Sequence, residues 1–67
     1  MSDIEIIIKC CKYLGLTKEE ARTVLQIIHT PEESADMVVW IRENITASPE
    51  PIYVIVAAAE IQMKYRN

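Results

Sequence analysis

Four short segments of this chain carry the chemistry that starts an α-helix: Ser2-Asp3-Ile4-Glu5, Thr17-Lys18-Glu19-Glu20, Thr30-Pro31-Glu32-Glu33 and Ser48-Pro49-Glu50. A Ser or Thr oxygen accepts a bond from an amide two or three residues on, and in the first three segments a Glu at the third helical position can reach back. Pro31 and Pro49 each fall one residue inside a start, where a missing N–H is no loss. An apolar run follows every signal. The pattern predicts an all-α chain, a compact four-helix bundle of short helices at about 3–14, 18–29, 31–45 and 50–65.

Hydrophobic spacing supports the same elements. Ile4, Ile7, Ile8, Cys11 and Leu14 recur at helical steps, with Ile6, Cys10 and Tyr13 as a second line, and Gly15, the only glycine, stands where a left-handed residue ends a helix. Ala21, Val24, Leu25 and Ile28 form the stripe of the second helix, and Leu16 is placed to staple onto Ala21. The third helix should turn Ala35, Val38, Ile41 and Ile45 inward, flanked by Met37, Trp40 and Val39. The fourth is apolar along two lines, Ile52, Ile55, Val56, Ala59, Met63 and Val54, Ala58, Ile61, Tyr65. Only Tyr53, Ala57, Glu60 and Lys64 are left to face water. Such a helix is expected to be central. Ile4–Ile8 and Ile52–Val56 also have strand propensity, but each continues into a helical period and neither has hairpin turn residues beside it.

Sixty-seven residues make a single helical domain spanning 1–67. A chain of this size buries only about 60% of its unfolded surface, so its core needs a supplement. With 51% apolar residues, association with a second polypeptide is the expected one. The net charge is −3, and the seven basic residues are scattered among ten acids, which disfavours a nucleic-acid partner. The acidic N-terminus is unlike a signal peptide, and Ile52–Ala59 is too short to span a membrane. A cytoplasmic, membrane-free location is expected, in keeping with the adjacent Cys10 and Cys11, read as reduced buried thiols.

Nothing in the sequence specifies catalysis, a cofactor or a metal. His29 is the lone histidine, placed near a helix end where the dipole favours it, and one glycine cannot build a phosphate loop. Glu60 interrupts the most apolar stretch, and its expected partner is Lys64 one turn on. No enzymatic activity is expected.

What remains is surface for binding protein. The candidate interface residues are Ile6, Cys10, Tyr13, Ile27, Met37, Trp40, Tyr53, Ile61 and Tyr65, because surplus apolar stripes and edge aromatics supply interface energy. The expected function is a non-enzymatic interaction module (an adaptor, inhibitor or regulator) that pairs with itself or another protein, a homodimer first of all. Tyr13 to Ile41 also resembles a ubiquitin-associated domain: Leu14-Gly15-Leu16 stands for that family's Met-Gly-Phe-type loop, with Ala21, Leu25 and Ala35 at comparable steps. The likeness covers under half the chain, Trp40 lies two positions later than the family's aromatic, and the fourth helix has no counterpart. It implies that this loop and the end of the third helix bind a partner's apolar patch. Leu14 to Ile28 is similar in outline to a helix-turn-helix regulator, but the next helix presents Glu32, Glu33, Asp36 and Glu43 rather than basic residues.

Overall fold

The computed structural model describes residues 1–66. Four helices follow one another, α1 (Asp3–Tyr13), α2 (Lys18–Ile27), α3 (Pro31–Asn44) and α4 (Pro51–Tyr65), with one 3-10 turn at Ile45–Ala47 between the last two. No strand occurs among the described residues. Three of the four expected caps form. Ser2 accepts from the Glu5 amide at 3.2 Å, without the expected return bond from the Glu5 side chain. Thr17 with Glu20, and Thr30 with Glu33, close reciprocal capping boxes. The sequence spacing alone settles these, since every bond spans three residues.

The fourth cap is a correction. Ser48 does not start α4; it lies in the left-handed region at φ 48°. Glu50 is the N-cap residue, without a side-chain bond, and Pro51 is the first helical residue. The cause is Pro51, whose ring pushes the preceding residue out of the helical region, and Glu50 accordingly sits at φ −68°, ψ 152°. The second helix also ends earlier than expected, at Ile27. Ile28 is already extended at ψ 96°, ready for the Thr30 cap. Gly15 behaves as its position suggests. It takes φ +79°, its amide donates to the Lys12 carbonyl and the Leu16 amide to the Cys11 carbonyl, a full Schellman closure.

Packing makes α3 the hub. It lies against both α1 and α4, while α2 packs chiefly on α4. The core comprises Ile7, Cys10 and Cys11 from α1, Val24 and Ile28 from α2 and its exit, Met37, Val38 and Ile41 from α3, and Val54, Ala57 and Ala58 from α4. The radius of gyration, 10.6 Å, matches the ~11 Å of a folded chain this long.

Four placements differ from the helical-wheel expectation. Ala35 is exposed, because the first turn of α3 turns Glu33 and Ser34 inward instead. Met37, a candidate interface residue, is fully buried, while the burial of Cys10 agrees with its reading as a buried thiol. Ala57 is buried rather than wet: with Ala58 it forms the small-residue floor where α4 meets its neighbours. Finally, α4 is not central. It has neighbours on one side only, so Ile52, Val56 and Met63 remain 54%, 43% and 64% exposed.

The two left-handed residues make opposite predictions. Gly15→Ala, with nothing within 4 Å to obstruct the methyl, should cost about 1 kcal/mol in urea unfolding through backbone strain alone. Ser48→Gly, relieving the same strain, should be neutral or stabilising by up to about 1 kcal/mol.

Candidate functional site

Two polar clusters tie α4 to the rest, and an apolar groove lies beside one of them. The first is centred on Glu33, whose side chain is fully buried. Its Oε1 accepts from the Thr30 amide (3.1 Å), the Thr30 hydroxyl (3.0 Å), the His29 amide (3.3 Å) and Nη2 of Arg66 (2.8 Å). Nη2 also donates to the Ile27 carbonyl at 3.0 Å, so its two hydrogens have two acceptors. It lies 2.8 Å from Nδ1 of His29 and 3.3 Å from Nε2. The two imidazole nitrogens point away from each other, so a group close to both lies across the ring face, as arginine does when it stacks. Oε2 is buried with no partner among the described residues.

Arg66, more than burial opposes, lowers the Glu33 carboxyl from its ordinary 4.5 to about 2, helped by Thr30 and the His29 amide. A carboxyl held that low stays ionised near neutrality and is unsuited to exchanging protons there. The cluster is an anchor joining the end of α2, the start of α3 and the end of α4. Sequence reasoning recognised Glu33 as a capping residue and missed its burial. The only signal was Arg66, a cation 33 residues away.

The second cluster corrects the expected Glu60–Lys64 pair. Lys64 donates instead to Oδ2 of Asp36 at 2.9 Å, and the Tyr65 hydroxyl donates to the same oxygen at 2.9 Å. These bonds, Lys64 first, lower the Asp36 pKa, and Asp36 in turn raises those of Lys64 and Tyr65.

From this cluster a groove of about 430 Å³ runs between α3 and α4, floored by Trp40, Ala57 and Ile61 and rimmed by Val39, Glu43 and Glu60. It continues, sharing Trp40, Ala57 and Glu60, into a further 300 Å³ bounded by Asn44, Pro49, Tyr53 and Val56. The Asn44 side-chain amide donates to the Trp40 carbonyl at 2.8 Å and fastens the last turn of α3 there.

The candidate interface residues divide accordingly. Trp40, Tyr53 and Ile61 line this one groove, and Tyr65 reaches its Asp36 end. Ile6, Cys10 and Tyr13 border a smaller hollow of about 240 Å³ at the α1–α3 seam, with Ile41 and Ile45. Ile27 is half-buried against the core, and Met37 lies inside it. Leu14 and Leu16, the loop of the ubiquitin-associated resemblance, also pack partly on the core. The exposed Ile52, Val56 and Met63 were missed as surface, since helical spacing names a face without saying what covers it.

Both cysteines are free and buried, and burial, then the neighbouring Cys10 thiol, raises Cys11 from 9.0 to about 11. Among the described residues no His, Cys, Asp and Glu group could hold a metal ion, and no helix is long and apolar enough to cross a membrane.

Glu33→Gln should lower the thermal midpoint by more than about 5 °C near neutral pH, since it removes the charge facing a partly buried guanidinium. The native carboxyl is depressed, so its contribution is complete above pH 4.5 and is lost as pH falls towards 2. Thermal melts across that window should show a steep loss for the natural chain and a shallower one for the variant. The raised thiols should also resist alkylation in the folded chain, iodoacetamide labelling becoming fast only with denaturant. Compared with known proteins, the chain matches no family model, no curated protein and no solved structure.

Proposed function

We propose that this chain is a protein-interaction module that pairs with a second copy of itself through the outward face of α4. One observation carries the reading. A surface helix normally turns charged residues to water, whereas α4 turns out Ile52, Val56 and Met63, with Ala59 half-exposed between them. Their spacing, four, three and four residues, is the a/d step of a helix that packs along a partner helix. Ala59 lets two backbones approach, and a twofold axis would bury the same stripe on both copies. A paired α4 would supply the cover that a core of this size lacks on its own.

The acidic balance also supports a protein partner over nucleic acid: α3 and α4 present Glu43 and Glu60 as exposed carboxylates on this side of the molecule, a surface that repels phosphates.

Sedimentation equilibrium should give about twice the chain mass of 7.7 kDa. The double variant Ile52→Gln/Met63→Gln, altering exposed side chains only, should sediment as a monomer with unchanged helical circular dichroism. A natural chain that stays monomeric at every concentration would defeat the proposal.

A further inference from the structure

The groove between α3 and α4 adjoins the outward stripe at Val56 but is floored by other residues, and its chemistry selects a different occupant. Its floor is apolar, formed by Trp40, Ala57 and Ile61. Its rim holds two carboxylates, Glu43 and Glu60, and neither has a basic group within ion-pairing distance among the described residues. The cation nearest in kind, Lys64, is engaged by Asp36 at the end of the groove. Two unpaired anions flanking an apolar trough form the complement of a helix with a hydrophobic stripe edged by Lys or Arg.

Shape agrees with that occupant. The trough lies between two helices and extends along α3 from Asp36 to Asn44, about 12 Å at 1.5 Å per residue, or roughly two turns of a docked helix. A third helix laid into the ridges of two others is the ordinary way such a trough is filled. A second copy suits it less well, because each copy carries a net charge of −3 and would bring further acid to an acidic rim.

We infer that the α3–α4 groove docks a basic amphipathic helix of another protein, its apolar stripe against Trp40 and Ile61 and its Lys or Arg flanks against Glu43 and Glu60. The inference deepens the interaction reading by naming a heterologous partner, and it does not require the α4 pairing.

Trp40 is the only tryptophan, so its fluorescence reports the groove directly. The test titrates the full chain with two synthetic tryptophan-free helical peptides sharing one leucine stripe, one flanked by Lys and Arg, the other by Glu. The basic peptide should shift Trp40 emission to the blue and saturate, with affinity falling as salt rises. Glu43→Gln/Glu60→Gln should weaken binding about tenfold and flatten the salt dependence. The Ile52→Gln/Met63→Gln monomer should bind as the natural chain does, which separates this outcome from that of self-pairing. Equal binding of the acidic peptide, no spectral change with either, or no loss in the double Gln variant at the rim would each overturn the proposal. So would a shift on concentrating the protein alone that is absent in the monomeric variant, which would make a second copy the occupant.

Discussion

A single buried carboxylate oxygen holds the ends of three helices together. Oε1 of Glu33 caps α3 through Thr30 and binds Arg66 just beyond α4, and Arg66 passes a second bond to the last carbonyl of α2. Leaving that charge unpaired in the interior costs far more than the pair itself contributes, so the contact acts chiefly as a constraint on geometry. It sets where α4 ends relative to the α2–α3 corner. Lys64 and Tyr65 then reach Asp36 from the same end of α4. With one end fastened twice, α4 packs along both α2 and α3, and the groove forms on the α3 side.

The groove and the uncovered stripe are two results of one packing choice. Four short helices cannot all be surrounded, and here α3 takes the hub position while α4 keeps neighbours on one side. The small side chains of Ala57 and Ala58 are buried at the base of α4. Trp40 and Ile61 join Ala57 in the floor of a trough with Glu43 and Glu60 on its edges. An apolar floor and an ionised rim divide the work of recognition: the floor supplies affinity by desolvation, the rim supplies selectivity of charge.

Much of the architecture was legible beforehand. The all-α class, the order of four helices, two of the three expected capping boxes and the Gly15 ending are observed. Among the interface candidates, Trp40, Tyr53 and Ile61 do converge on one groove, although nothing in their spacing placed Tyr53 beside Trp40. Met37 is buried although expected at an interface, because a side chain on the flank of a stripe is buried or exposed according to the neighbour it meets, whereas Cys10 is buried as its thiol reading implies. Glu33 was legible as a cap and illegible as a buried ion, since both roles use the same residue at the same position.

The amino-acid order by itself determined the features whose physics closes within a few residues: the Thr17 and Thr30 boxes, the left-handed Gly15, and the helix starts set by Pro31 and Pro51. These are bonds and clashes between near neighbours, present whatever the rest of the chain does. Only the tertiary structure decided that Lys64 pairs with Asp36 rather than Glu60, that Arg66 neutralises Glu33, and which side of α4 stays uncovered. Those outcomes depend on groups 28 and 33 residues apart being brought together. A helix that is apolar along two lines carries no local preference for which of them its neighbours will cover.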